Sequence, residues 1–142
     1  MMELSSELAA SILVVDDEIQ VLSFIMEILR MQGYGVEGTW DPDEALRLAR
    51  GLPGPVDLLL TDLVMPVMTG PELAKEIRRI HPAMKVLFMS AYTAEMAEDY
   101  EVRLAPGEPF LSKPFSIATL GRTIRAALNF ERPSPSVTPP AP

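Results

Sequence analysis

Five polar residues with the chemistry of phosphoryl transfer each end or closely follow a short apolar run. They are Asp16, Asp17, Asp62, Ser90 and Lys113. Clustered carboxylates repel one another, which favours a bound cation, and their oxygens suit Mg²⁺. A carboxylate beside that ion can attack phosphorus and form an aspartyl phosphate, while a lysine and a hydroxyl hold the transferred group. These residue types predict a phosphoryl-transfer site, provided that the fold brings them together.

The strongest apolar runs have the length of strands and do not alternate with polar residues. This pattern is typical of strands buried on both faces of a parallel sheet. A weaker strand and a short last one complete the set, and Pro109 places the last strand at an edge because proline cannot donate to a central ladder. The five predicted strands are residues 12–15, 35–39, 58–60, 86–89 and 110–112. Since helical segments separate them, we predict an α/β fold with a doubly wound five-stranded parallel sheet covered by helices on both faces.

Capping residues mark the first two helices. Residues 18–32 form one helix that Gly33 stops. Residues 41–44 supply an N-cap aspartate, a proline at the first helical position and Glu44 as a capping-box acid, and Gly51 ends this second helix.

Three further helices follow. Thr69 and Glu72 have capping-box spacing and begin a helix that reaches about residue 80. Residues 93–103 form another helix, and Ser116 caps the last one. The last helix has one apolar face, made by Ile117, Leu120, Ile124, Ala127 and Leu128.

Composition excludes several classes of function. The net charge of −8 disfavours binding to phosphate backbones, so we expect no contact with nucleic acid. The chain has no cysteine and one histidine, which leaves oxygen ligands for any metal, and His81 is expected to be a solvated helix terminus. Because no apolar run approaches the length that crosses a bilayer, we expect a cytoplasmic protein without membrane contact.

The length predicts one domain with short extensions. We assign residues 1–10 to an N-terminal extension and 11–130 to the folded domain. Residues 131–142 are rich in proline and serine, which predicts a disordered tail.

Four segments occur together in the order and spacing of one known family. They are residues 14–18 (VVDDE), 61–70 (TDLVMPVMTG), 89–91 (MSA) and 111–115 (LSKPF). Over residues 11–128 the chain therefore resembles the receiver domain of bacterial two-component response regulators. The resemblance implies a flavodoxin-like fold with strand order 2-1-3-4-5, for which a member of this family is itself a standard example.

The resemblance also implies the roles of the site residues. Asp62 would be the phosphoacceptor. The groups around Mg²⁺ would be Asp16, Asp17, Asp62 and the main-chain carbonyl of Val64. Ser90 and Lys113 would hold the phosphoryl group, and the Lys113–Pro114 peptide bond would be cis. Phe110 would rotate when Ser90 moves toward the phosphoryl group, which makes these two residues a switch.

The partners implied are a histidine kinase or histidine phosphotransfer domain and an unidentified downstream protein. Such a domain is no enzyme in the ordinary sense, since it catalyses only its own phosphorylation and dephosphorylation. Val21, Phe24 and Ile28 lie beside the core stripe of the first helix. They either pack against the last helix or, as the resemblance suggests, dock the phosphodonor protein. The resemblance also places Val64 and Tyr92 beside the approach of the hydrolytic water, and since neither is suited to orient it, we expect slow dephosphorylation.

One alternative from another class is a Mg²⁺-dependent aspartyl-phosphate phosphohydrolase of the haloacid-dehalogenase kind. That family carries two aspartates separated by one residue, whereas Asp16 and Asp17 are adjacent. A pseudo-receiver without a working site is a second alternative, against which the complete set of site residues argues. The chain has no room for an output domain, so we expect a stand-alone receiver or one taken from a longer protein such as a hybrid histidine kinase.

Overall fold

Strands and helices alternate along the chain. The structure, a computed structural model, describes residues 9–91 and 104–131. The strands in these ranges are β1 (Ser11–Val15), β2 (Gly35–Thr39), β3 (Leu58–Asp62), β4 (Lys85–Ser90) and β5 (Leu111–Ser112). The helices there are α1 (Ile19–Met31), α2 (Pro42–Gly51), α3 (Gly70–Arg78) and α4 (Ile117–Asn129). The predicted helix over 93–103 and the predicted extensions fall largely outside the described ranges, so the domain boundaries stay predictions.

The strands form one parallel sheet with the order β2-β1-β3-β4-β5. Ile12 of β1 lies between Val36 of β2 and Leu58 of β3. The predicted α/β class and strand order are confirmed, and β5 lies at an edge as expected. Phe110 was predicted to belong to the last strand but precedes it, because the ladder with β4 starts at Leu111.

Alternate residues of the central strands supply two hydrophobic cores, one on each face of the sheet. Ile12 and Val14 belong to the core beneath α1 and α4, whereas Leu13 and Val15 belong to the core beneath α2 and α3. All four side chains are buried. Complete burial of such a side chain contributes about 1.5–3 kcal/mol, and this explains why both faces of these strands are apolar in the sequence.

The helix ends agree with the sequence in part. Gly33 has a φ of +97°, which glycine adopts at little cost, and it closes α1 as predicted. Thr69 and Glu72 form the predicted capping box at the start of α3. In α2 the predicted capping-box role of Glu44 is wrong, because its carboxylate lies 2.6 Å from Arg47 and pairs with that side chain.

The ends of α3 and α4 correct two further predictions. Helix α3 ends at Arg78 rather than near Ile80, since Ile80 N–H donates to the Ile77 carbonyl and tightens the chain into a turn. Ser116 caps α4, and Leu120 packs in the core as predicted. Ile117 was also predicted to pack in the core, but it lies in the first turn of α4 and is 50% exposed.

His81 is not the solvated helix terminus that the sequence suggested. It is half-buried, and its Nδ1 accepts a hydrogen bond from the Val56 N–H at 3.3 Å. The other nitrogen, Nε2, therefore carries the hydrogen and donates it to the Ala49 carbonyl at 2.7 Å. The imidazole ties the last turns of α2 to the segment that enters β3.

Candidate functional site

The polar residues predicted to do chemistry lie at the carboxyl edge of the sheet. Asp16 follows β1, Asp62 ends β3, Ser90 ends β4 and Lys113 follows β5. The carboxyl ends of parallel strands share one edge. From β1 the chain continues to β2 on one side and then crosses to β3 on the other side. Open α/β sheets bind their ligands at such a reversal of strand order.

The ammonium group of Lys113 lies between three carboxylates. Its Nζ is 2.8 Å from Asp16 Oδ2, 3.0 Å from Glu18 Oε1 and 3.1 Å from Asp62 Oδ2. Asp16 is completely buried, and the Asp62 side chain is 10% exposed. Residues far apart in sequence therefore meet in one small, mostly buried cluster of charges.

Backbone contacts hold this cluster in place. Lys113 N–H donates to the Ser90 carbonyl at 2.8 Å, which fixes the end of β5 against β4. The Lys113–Pro114 peptide bond is cis, as the family resemblance implied. On the other side, a Cβ at Gly70 would lie 2.5 Å from the Asp62 carbonyl oxygen. Only glycine allows α3 to start this close to the end of β3.

Burial and the lysine charge act against each other in this cluster. Burial raises the pKa of Asp16 and of Asp62, because it disfavours their charged forms, while the Lys113 ammonium opposes the increase. For Lys113, burial disfavours the ammonium form, yet its hydrogen bond to Asp16 and the charge of Asp62 prevail and raise its pKa. The lysine therefore stays charged, and the carboxylates are held together by that charge.

The donor set fits a hard divalent cation. One carboxylate oxygen from each of Asp16, Asp17 and Asp62 lies within 4.8 Å of the others. Asp16 Oδ1 accepts a hydrogen bond from Glu18 N–H at 2.9 Å, while the buried Oδ2 has, within the described part of the chain, the lysine ion pair and no hydrogen bond. A buried carboxylate oxygen with so few partners is suited to coordinate a cation. The residues present therefore fit Mg²⁺.

The other predicted residues lie around this cluster. Ser90 is buried at the end of β4. Phe110 is half-buried and packs with Val64 against Leu63, which directly follows Asp62. Burial raises the pKa of Asp62, and the backbone N–H of Val64 is among the groups that oppose this increase. The carbonyl of Val64 as a metal ligand and the switch by Ser90 and Phe110 stay predictions.

Sequence reasoning missed the part that Glu18 plays in the cluster. The residue was assigned only to the start of α1, yet its carboxylate reaches Lys113, 95 positions along the chain. A signal was present, because Glu18 directly continues the Asp16-Asp17 pair. Which of these acids would reach the lysine depends on the loop conformation, which the sequence pattern does not contain.

An apolar groove of about 480 Å³ adjoins the charged cluster. Val21 and Phe24 of α1 form one side, and Pro114 and Phe115 form the other. Phe24 is 41% exposed, whereas Val21 packs partly against the core. Packing against the core thus accounts for Val21 and Ile28 of the predicted docking face, and Phe24 remains available for contact.

Among the described residues, the helices are too short and too polar to cross a membrane.

A family model described as response regulator receiver domain matches residues 12–125. Sensor kinase CckA of Brucella abortus is 38% identical over 123 residues, covering 84% of this chain and 13% of that protein. Transcriptional regulatory protein CpxR of Klebsiella pneumoniae is 36% identical, covering 82% of this chain and 48% of that protein. The chain thus spans half or less of these curated relatives.

Solved structures agree with this result. The receiver domain of the hybrid histidine kinase CckA superimposes with a TM-score of 0.69 at 35% identity, covering 84% of this chain and 99% of that one. The chemotaxis protein CheY4 of Vibrio cholerae gives a TM-score of 0.72 at 30% identity, covering 84% and 98% of the two chains. On sequence, fold and the position of its acidic cluster, the chain belongs to the response regulator receiver domain family of two-component signalling.

Proposed function

We propose that Asp62 is the phosphoacceptor of this receiver domain and takes its phosphoryl group from a histidine kinase or a histidine phosphotransfer domain. The observation that carries the proposal is the shared contact of Lys113 with Asp16 and Asp62 at the carboxyl edge of the sheet. The acceptor carboxylate lies beside a fixed positive charge and a second carboxylate suited to a cation. The phosphohydrolase alternative is set aside, because the family match identifies a signalling domain.

The transfer forms one bond and breaks another. A carboxylate oxygen of Asp62 attacks phosphorus, the phosphorus–nitrogen bond of the donor phosphohistidine breaks, and the imidazole nitrogen keeps the electron pair. Charge builds up on the phosphoryl oxygens in this step. Lys113 supplies a positive charge within 3.1 Å of Asp62, and we assign the Ser90 hydroxyl, at the neighbouring strand end, to bond a phosphoryl oxygen.

Receiver domains bind Mg²⁺ at an acidic cluster, and this chain has such a cluster. We assign Asp16, Asp17, Asp62 and the Val64 carbonyl as its ligands here. When bound, the ion neutralises the carboxylates and the phosphoryl oxygens. The chain catalyses only its own phosphorylation and dephosphorylation.

Receiver domains interact with histidine kinases and with downstream effectors. We assign the groove beside Phe24 to the phosphodonor protein, since it is apolar and opens next to Lys113. The output is a protein-contact surface altered through Ser90 and Phe110. The net charge of −8 supports signalling through protein rather than nucleic acid, and a cytoplasmic location away from membranes stays a prediction.

Acetyl phosphate with Mg²⁺ provides the direct test. Intact mass spectrometry should show a gain of about 80 Da, the mass of one phosphoryl group. Asp62→Asn keeps the volume of the side chain but removes the nucleophile, so this variant should gain no mass. Asp43→Asn removes an exposed carboxylate in α2 and should be labelled like the wild type. Labelling of Asp62→Asn at the wild-type rate would contradict the assignment.

A further inference from the structure

The ammonium group of Lys113 is shared by three carboxylates: it donates hydrogen bonds to Glu18 and Asp62 and forms an ion pair with Asp16. It carries three N–H donors, and three carboxylates lie within 3.1 Å of its nitrogen. A phosphoryl group on Asp62 brings new oxygens next to the same nitrogen. The phosphoryl oxygens therefore compete with the three carboxylates for the ammonium group.

Burial decides which contact is released most easily. Asp16 has no exposed side-chain surface, and its Oδ2 has the lysine as its one charged partner among the described residues. Without a bound cation, releasing it would leave the charge of a buried carboxylate uncompensated. Asp62 itself carries the phosphoryl group. The Glu18 side chain is 61% exposed, so water can replace its contact with Lys113.

We propose that Glu18 is a positioning residue, which acts through Lys113 as an exchangeable counter-ion. This inference rests on the proposed function. Glu18 holds the ammonium group at the mouth of the site in the unphosphorylated protein and gives it up to a phosphoryl oxygen. Glu18 therefore competes with the phosphoryl group for the lysine and biases the domain toward its unphosphorylated state. Its position in the lining of the apolar groove places this competition where the phosphodonor protein docks.

Beryllium trifluoride, a mimic of the phosphoryl group, tests the competition at equilibrium. Its affinity is measured by calorimetry at saturating Mg²⁺ for the wild type and three variants. Glu18→Gln removes the competing charge and should bind the mimic roughly two- to fivefold more tightly, the size expected for an ion pair with one exposed partner. Glu18→Asp keeps the charge but is one methylene too short for the contact, and it should bind as tightly as Glu18→Gln.

The matched control is Glu27→Gln, which removes the same charge from an exposed position of α1, the helix that follows Glu18, and should leave the affinity unchanged. Loss of the contact can be observed at the Nζ protons of Lys113. Their signal can be assigned because the chain has only three lysines, Lys75, Lys85 and Lys113. The Nζ proton signal of Lys113 should exchange faster with water in both Glu18 variants than in the wild type. It should be unaltered in Glu27→Gln.

The outcomes separate this inference from the proposed function. If the wild type neither binds the mimic nor is phosphorylated, the proposed function fails and this inference fails with it. If the wild type binds but Glu18→Gln binds equally or more weakly, only the competition by Glu18 is wrong. If Glu18→Asp loses its contact with the lysine and still binds the mimic with the wild-type affinity, the negative charge lowers the affinity without that contact. The positioning role is then overturned.

Discussion

Polar side chains make different contacts at the two ends of the parallel sheet. At the amino end the main partners are backbone groups: His81 joins Ala49 and Val56, and the Lys85 ammonium donates to the Leu128 carbonyl at 2.7 Å, with the exposed Glu131 carboxylate 3.4 Å away. At the carboxyl end the charged side chains face one another, and a single lysine is shared by three carboxylates. The amino end stabilises the fold, whereas the carboxyl end keeps Asp16 and Asp62 close together although burial raises the pKa of both.

This difference shows where stability has been exchanged for function. Burial of like charges is unfavourable and persists where those charges have a task. One sheet can carry the backbone contacts at its amino end and the charged cluster at its carboxyl end, because the two hydrophobic cores that hold the strands lie between these ends. A substitution at one end should therefore affect stability, and a substitution at the other should affect ligand binding and phosphorylation.

The largest expected effect is stabilisation of the carboxyl end by Mg²⁺. An ion that binds only the folded state adds about 2.7 kcal/mol at a hundredfold excess over its dissociation constant. Asp17→Asn should reduce this gain, since it removes an exposed carboxylate of the cluster without disturbing the core. Thermal unfolding with and without Mg²⁺ measures the gain, with Asp43→Asn as the control. An equal gain in Asp17→Asn and the wild type would disprove the metal assignment.

The next effect belongs to the amino end. His81→Ala leaves the Val56 N–H and the Ala49 carbonyl without their partner, and unpaired groups of this kind cost about 1–3 kcal/mol. Urea unfolding should show this loss, while labelling by acetyl phosphate should stay at the wild-type rate. Arg79→Ala, at an exposed neighbouring position, serves as the control. Loss of labelling in a folded His81→Ala protein would mean that the two ends are coupled.

The sequence predicts some features well and others not at all, for physical reasons that particular residues illustrate. Leu58, Leu59 and Leu60 predict a buried strand because burial on both faces leaves only apolar residues. Parallel strands then bring Asp16 and Lys113 to one edge. His81 was misassigned because its partners are backbone groups, which leave no mark in the sequence. The third partner of Lys113 was missed because a contact of Glu18 across the sheet depends on side-chain reach.

A smaller effect tests the groove that borders the carboxyl end. Phe24→Ala removes an exposed ring next to Lys113, so transfer from the cognate kinase should slow by roughly tenfold, as expected when one aromatic anchor of an interface is lost. Labelling by acetyl phosphate needs no docking and should be unchanged. Met31→Ala is the matched control, since Met31 is 77% exposed at the far end of the same helix. Equal losses in both assays for Phe24→Ala would indicate a role in folding instead.

The smallest effect concerns the lifetime of the phosphoryl group at the carboxyl end. Hydrolysis requires a water held in line behind phosphorus, and Val64, which packs beside Asp62, offers that water no hydrogen bond. Tyr92, the second residue predicted to border this approach, lies outside the described residues. Val64→Asn supplies a side-chain amide, and since a hydrogen bond contributes about 0.5–1.5 kcal/mol, the decay should accelerate by roughly two- to tenfold. Intact mass spectrometry follows the decay of the phosphorylated wild type, of Val64→Asn and of Tyr92→Glu. If neither Val64→Asn nor Tyr92→Glu decays faster than the wild type, water orientation by these positions does not limit the lifetime.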